Sequence, residues 1–227
     1  MRPLTKPLTL VSIRSSAKQT LSKAYGHLVT YYSLTVMCPT SHVWWSMKRR
    51  YSDLYYVWAT LKRMYKHALK LKGARQTDRV VTLLAPVVSA PFPPKRLGLD
   101  TTTIVQERLV GLKEFVAHLM QLRSACLEHR DASNDSYFET EQLNEIYRLL
   151  GHALAVPTRM NSRPTTTTVA TTEPCAICLE DHGHGVKDSV FQLPCGHEFH
   201  QECILEWFDT QHTCPMCRTE AFAGYIV

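Results

Sequence analysis

Eight cysteine and histidine residues between positions 175 and 217 follow the pattern C-x2-C-x16-C-x-H-x2-H-x2-C-x10-C-x2-C: Cys175, Cys178, Cys195, His197, His200, Cys203, Cys214 and Cys217. Zinc in structural sites takes four thiolate or imidazole ligands in a tetrahedron, so eight ligands make two closed sites for two zinc ions. No position is left for a metal-bound water, so the expected role of the metal is to hold together a small domain whose apolar content alone is marginal. Clustering with histidines, in a sequence without a secretory signal, points to metal ligation in a reducing compartment rather than to disulfides. The remaining two cysteines, Cys38 and Cys126, sit among apolar neighbours and read as buried, unreactive thiols. His182, His184 and His212 fit no ligand spacing and read as loop histidines.

Upstream of this cluster, residues 156–173 are rich in threonine and proline, with no periodicity, and read as a flexible linker between an N-terminal domain (25–155) and the cysteine-rich domain (174–220). Residues 1–24 contain Ser, Thr, Lys and Arg but no acid, as a mitochondrial transit peptide does. Pro3 and Pro7 interrupt any early amphipathic helix, and the segment reads as a disordered tail. "YYSLTVMC" and "SHVWWSMKRRY" are aromatic and β-branched and are separated by Pro-Thr, which predicts paired antiparallel strands. Leu54, Val57, Trp58, Leu61, Met64, Tyr65 and Ala68 then recur at helical spacing, with Ser52 as N-cap. Further helices are expected over about 103–127 and 139–154. Between the first two helices, "LLAPVVSAPFPPKRLGLD" carries four prolines and reads as an extended functional loop. The fold class is thus α+β: a small antiparallel sheet packed on helices, a linker, then a zinc-stabilised module.

The order and spacing of all eight ligands resemble a RING finger of the two-histidine type, with a cross-braced fold. That resemblance implies interleaved pairs: Cys175, Cys178, His200 and Cys203 on one zinc, Cys195, His197, Cys214 and Cys217 on the other. It also implies docking of a ubiquitin-conjugating enzyme carrying ubiquitin on an apolar patch of Ile177, Trp207 and Pro215, with Arg218 orienting ubiquitin for attack by a substrate lysine. The expected gain is orientational, and no cysteine acts as a nucleophile.

From Ser41 to Arg75 there are nine lysines and arginines against one acid, Asp53. A solvated face is the ordinary reading of such a run, but "RRYSDL", "PFPPK" and "QERLVGLKEF" resemble, in order, three signature segments of a PX domain, a phosphoinositide-binding fold. The resemblance implies that Arg50 pairs with the 3-phosphate of phosphatidylinositol 3-phosphate, where a planar guanidinium offers two aligned donors. Tyr51 lies under the inositol, Lys95 neutralises the 1-phosphate, and Arg108 bonds the 4- and 5-hydroxyls. Leu54 stands where the family prefers Phe. Arg49, on the opposite strand face from Arg50, is expected in solvent, and Lys48 has no assigned role. Val87, Val88, Phe92, Leu97 and Leu99 are candidates to enter the membrane interface, with neighbouring lysines contributing attraction to anionic lipid.

Together these features predict a RING-type ubiquitin ligase in the cytoplasm, peripheral on endosomal membranes, with protein substrates unspecified. A non-enzymatic adaptor on the same membranes is the alternative. Nucleic-acid binding through the basic helix is disfavoured, because it leaves the proline loop and Arg108 without a role.

Overall fold

The computed structural model describes residues 12–21, 26–38, 41–71, 78–130, 137–157, 173–182 and 189–227. Its elements are β1 (Ser12–Leu21), β2 (Leu28–Cys38), β3 (Val43–Arg50), α1 (Tyr51–Leu71), α2 (Asp78–Ser89), α3 (Thr102–Arg130), α4 (Tyr137–Ala153), β4 (Val190–Gln192), β5 (Glu198–His200), α5 (Gln201–Phe208) and β6 (Ala223–Ile226). The chain divides into two compact units, one of residues 1–14, 35–47 and 157–227, the other of residues 15–34 and 48–156. Among the described residues, no helix is long and apolar enough to cross a membrane.

In the helical unit α1, α2, α3 and α4 pack on one another. Helix α1 starts where the backbone N–H of Arg50 donates to the Asp53 carboxylate at 2.8 Å. Asp53 thus caps the first turn from inside, and Ser52 lies within the helix rather than at its cap. Leu54, Val57, Leu61 and Ala68 are the buried stripe expected from their spacing. The C-terminus of α4 is held by Arg49, whose Nε and Nη2 donate to the carbonyls of Ala153 and His152 at 3.0 and 2.9 Å. A guanidinium there satisfies orphan carbonyls and faces the negative end of the helix dipole. Arg49 is therefore a structural cap and not a solvated side chain.

The proline-rich stretch is only partly a loop. Its first half belongs to α2, with Pro86 inside the helix. Proline removes one hydrogen bond, but Val80, Val81, Leu84 and Val87 bury a continuous apolar stripe on that helix, and burial of several such side chains outweighs the lost bond. Val87 is consequently core. The remainder runs irregularly from 90 to 101, and Phe92 in it packs against Tyr51, Tyr55, Trp58 and Phe115 with ring centroids 4.9 to 6.1 Å apart. Val87 is buried and Phe92 half-buried, whereas Leu97 and Leu99 are 93% and 76% exposed.

In the cysteine-rich unit β3 pairs antiparallel with β6, placing Val43 opposite Tyr225, Trp44 opposite Gly224 and Trp45 opposite Ala223. β6 also pairs with β4, and β4 with β5. Trp44 is completely buried, stacked on Phe191 at 5.0 Å and tilted against Phe208 at 5.4 Å. With Met37 it joins Phe191, Leu193, Phe199, Ile204, Leu205, Phe208 and Ala221 in one core. Residues 35–47 thus complete the core of the cysteine-rich unit, although the sequence reading places them wholly in the N-terminal domain. Ser46 Oγ bonds Thr35 Oγ1 at 3.2 Å and His212 Nε2 at 2.9 Å. His212 lies in a loop and in neither ligand group, as expected, and is sandwiched there between Phe208 and Phe222 at 5.2 and 5.4 Å.

β1 occupies residues 12–21, inside the segment expected to be a tail. Cys126 is buried, which pushes its thiol up to about 11, whereas Cys38 is only half-buried. Residues 158–172 of the expected linker and His184 lie outside the described residues.

Candidate functional site

The eight ligand candidates gather into two groups, Cys175, Cys178, His200 and Cys203 in one and Cys195, His197, Cys214 and Cys217 in the other. Within each group the ligand atoms lie within 4.8 Å of one another. The pairs interleave along the chain as the RING resemblance implies.

Local backbone geometry explains how. Each C-x2-C pair sits on the same tight turn: the N–H of Leu179 donates to Cys175 O at 2.7 Å and that of Cys175 to Glu180 O at 2.9 Å. The second turn repeats this with Arg218 to Cys214 at 2.9 Å and Cys214 to Thr219 at 2.8 Å. Leu179 and Arg218 both take left-handed backbone, φ 64° and 62°, a conformation costing about 1 kcal/mol or more for a non-glycine residue. The turn returns that cost by aiming both thiols to one side. His200 is delivered from the N-cap of α5 and Cys203 from its first turn.

The donor geometry fits zinc. Cys178 Sγ lies 3.2 Å from His200 Nδ1, and Cys195 and Cys214 Sγ lie 3.3 and 3.5 Å from His197 Nδ1. A tetrahedral zinc with bonds of about 2.3 Å to sulfur and 2.0 Å to nitrogen spaces those ligands about 3.5 Å apart. His200 Nε2 meets the Asp181 carbonyl at 3.3 Å, which leaves Nδ1 as the ligating nitrogen. The thiols are unequal. Burial raises Cys175, but hydrogen bonds from the backbone of Cys178, His200 and Ile177 more than offset it and bring it to about 7. The Thr219 hydroxyl and backbone N–H lower Cys217 to about 6. Burial pushes Cys195 to about 11 and Cys203 to about 12. Each group thus holds one thiol near ionisation and one held well above neutrality, which metal binding must deprotonate.

The four residues expected to contact a conjugating enzyme and ubiquitin fall on these same turns and on α5. Ile177 is 37% exposed within the first turn, and Arg218 is exposed after the last cysteine. Pro215 is half-buried. Trp207 is also half-buried: its indole packs on the core and its Nε1–H donates to Thr213 O at 2.8 Å. The indole is therefore fixed in orientation, with part of its surface left to solvent. Leu179 and Met216, at 77% and 51% exposed, extend the apolar surface beyond the residues expected from the sequence. Their signal was positional, since each neighbours a cysteine of a C-x2-C pair.

In the helical unit Arg50, Tyr51 and Arg108 line one cavity of about 340 Å³, together with Gln19, His27, Thr30, Gly98, Leu99 and Asp100. Arg108 is buried, at 5% exposure, and its guanidinium stacks over the Tyr51 ring at 4.0 Å. Its Nη1 pairs with Asp100 Oδ1 at 2.6 Å. The Tyr51 hydroxyl donates to Pro93 O at 2.8 Å, and burial raises its pKa while the Arg108 charge opposes the rise. Gly111 approaches Pro93 so closely that a Cβ would clash with the proline ring, which draws α3 against the loop. Lys95 is exposed, with its ammonium 5.8 Å from the Tyr55 ring, and is not part of the cavity wall. Asp100 was missed in the sequence, where it reads as the end of a proline-rich loop.

Residues 173–218 match the Ring finger domain family. Among curated proteins, the chain is 49% identical over 49 residues to the E3 ubiquitin-protein ligase MBR1 of Arabidopsis thaliana, covering 22% of this chain and 7% of that protein. It is 50% identical over 44 residues to the E3 ubiquitin-protein ligase RNF126 of Xenopus tropicalis, covering 19% and 14%, and 48% identical over 44 residues to RNF126 of Mus musculus, covering 19% and 13%. The chain thus spans 14% or less of the length of each of these relatives. No solved structure matches the chain. Family match, ligand spacing and interleaved geometry agree on residues 173–218, which form a RING finger with two Cys/His clusters that could hold two zinc ions.

Proposed function

We propose that this chain is a RING-type ubiquitin ligase recruited to membranes by phosphatidylinositol 3-phosphate. The observation that supports the ligase reading best is the coincidence, on one RING finger, of two complete ligand groups and an exposed apolar patch of Ile177, Trp207 and Pro215 flanked by Arg218. Zinc, when bound, supplies no reactive water here and only fixes the two turns and α5 relative to one another.

The chain's own residues then do two things. Ile177, Pro215 and Trp207 give a conjugating enzyme a small docking patch, suited to a transient partner because its centre is apolar and its area modest. Arg218, held out by its left-handed backbone, donates hydrogen bonds to ubiquitin and its carrier, restricting the thioester to poses open to a substrate amine. Orientation of this kind raises the rate without a covalent intermediate on the ligase. All six cysteines of the finger lie in the two ligand groups, so attack on the thioester falls to the substrate lysine.

Recruitment rests on the cavity lined by Arg50, Tyr51 and Arg108, whose residues are those the PX resemblance assigns to a phosphoinositide, and on exposed Leu97 and Leu99 next to it. Lys95, on the same loop, lies outside the cavity wall and contributes attraction to the anionic bilayer surface. Attachment through one headgroup and a basic surface is reversible and places the ligase at endosomal membranes.

Purified zinc-loaded protein is expected to build ubiquitin chains on itself with activating enzyme, conjugating enzyme and ATP, and Ile177→Ala is expected to lower that rate by an order of magnitude or more. Inactivity across a panel of conjugating enzymes would leave the adaptor reading in its place. For recruitment, vesicles containing phosphatidylinositol 3-phosphate are expected to sediment the native chain, and unaltered sedimentation of Arg50→Ala would remove the lipid assignment.

A further inference from the structure

The cavity of the helical unit carries an acid that its proposed role as an anion site does not require. Its lining contains two guanidiniums, Arg50 and Arg108, and one carboxylate, Asp100. We propose that Asp100 is a specificity-determining residue, which makes the Arg108 end of the cavity a subsite for hydroxyl groups and closes it to a second phosphate.

Asp100 is built into place. Gln19 Nε2 on β1 donates to its backbone carbonyl at 2.9 Å and lies 3.4 Å from Thr30 Oγ1. Thr101, the next residue, caps α3, with its carbonyl accepting from Val105 N at 2.9 Å and its hydroxyl from Ile104 N at 3.4 Å. Gly98, with φ at +99°, makes the turn that precedes it. The carboxylate then takes Arg108 Nη1 at 2.6 Å while Tyr51 covers the guanidinium face. Arg108 Nε is fully buried with no hydrogen-bond partner among the described residues, and the Tyr32 hydroxyl lies against the same guanidinium, so the group is held in place with donors not consumed by Asp100.

That pair differs chemically from a lone arginine. A lone guanidinium is a cation with donors only, and it suits a phosphate. A guanidinium bonded to a carboxylate is close to neutral and offers donors and acceptors side by side, which suits hydroxyls, since each hydroxyl both donates and accepts. A phosphate dianion brings acceptors only and places its charge against the carboxylate, where like charges repel. The lining as a whole carries a formal charge of +1 with His27 neutral, a match for one phosphate and not for two. Recognition by exclusion is how a small site separates ligands that share most of their groups.

This inference rests on the phosphoinositide reading above, and the test keeps the two apart. The full zinc-loaded chain is titrated with soluble dibutanoyl phosphatidylinositol 3-phosphate, 3,4-bisphosphate and 3,5-bisphosphate, and with phosphatidylcholine vesicles containing each lipid and phosphatidylserine to equal total charge. The native chain is expected to prefer the monophosphate in both formats. Asp100→Asn is expected to raise the ratio of bisphosphate to monophosphate affinity by about tenfold or more, and Asp100→Glu to keep the native order. Circular dichroism and thermal melting of both variants establish that the cavity is still folded. If Asp100→Asn is folded and the ratio stays where it was, the assignment of Asp100 is wrong while phosphoinositide binding stands. A gain equal to that for plain phosphatidylserine vesicles, absent with the soluble lipids, also overturns it, because the effect is then general surface charge. Failure of the native chain to bind any of these lipids takes down the phosphoinositide reading itself.

Discussion

The two compact units hold their sites in order by different physical means. In the helical unit α1 to α4 supply buried leucine, valine and phenylalanine side chains from stripes on each helix, and the cavity lies where residues of β1 and β2 and the loop at 98–100 meet the start of α1 and Arg108 of α3. Between residues 173 and 227 the described part of the cysteine-rich unit has one short helix, three strands of three or four residues and a core in which Cys175 and Cys214 are themselves members. Its largest buried side chain, Trp44, lies some 130 residues earlier in the chain than the first cysteine of the finger. A unit with so little regular structure of its own depends on metal bonds and on a borrowed indole, whereas the helical unit depends on neither.

Removal of zinc gives the widest separation between the two. Structural zinc contributes roughly 10–16 kcal/mol of apparent folding free energy in finger peptides, comparable to or larger than the roughly 5–15 kcal/mol total stability of an ordinary domain. A strong chelator is therefore expected to abolish the tertiary signal of residues 173–227 and to leave most of the helical circular dichroism, which comes from α1 to α4. Parallel loss of both signals would show that the units are not independent in this way.

Trp44→Ala is the next largest change. Removing a fully buried indole costs about 3–5 kcal/mol, and here the cost falls on the unit that holds Phe191 and Phe208. Two observables sharpen the comparison: the zinc affinity of the finger is expected to drop, and the melting step of the cysteine-rich unit is expected to move down while that of the helical unit stays. A substitution of similar size in the helical unit, Phe115→Ala, is expected to move the other step and leave zinc affinity alone. If Trp44→Ala spares zinc affinity, residues 35–47 are an ornament on the finger and not part of its core.

How much of each unit could be read from the sequence follows the same division. The metal groups were legible because ligation is a property of residue type and spacing, and both survive any folding of the intervening chain. Helices α1, α3 and α4 were legible because one face of each repeats at 3.6 residues. Helix α2 was not, because Pro86 and the prolines after it read as a loop, and only the tertiary burial of Val80, Val81, Leu84 and Val87 overrides that local preference. Strand β1, "SIRSSAKQTL", has a single buried apolar residue, Ile13, so its pairing leaves almost no trace in its composition. The roles of Arg49 and Trp44 leave no local signal, because each depends on a partner far along the chain, the α4 terminus and β6 respectively; Asp100 meets Arg108 only eight residues on, but across an irregular stretch with no periodicity to pair them. Arg50, Tyr51 and Arg108 were picked by resemblance and do line one cavity, but Lys95 does not join them.

Two glycines give the smallest and most local comparison. In the cysteine-rich unit a Cβ on Gly224 would collide with the Gln192 carbonyl and come within 2.8 Å of the Trp44 indole nitrogen. Both neighbours are fixed, one as backbone of β4 and the other by stacking on Phe191, so Gly224→Ala is expected to cost about 1–3 kcal/mol as overpacking does. In the helical unit Gly151 lies in α4 with nothing within 4 Å of the same added atom and no positive φ. There alanine restricts the unfolded chain and favours helix, so Gly151→Ala is expected to stabilise by about 0.4–1 kcal/mol. Thermal melts of the two variants should thus shift in opposite directions, each in its own step. A destabilising Gly151→Ala would mean that the end of α4, where Arg49 binds the carbonyls of His152 and Ala153, tolerates less adjustment than its open surroundings indicate.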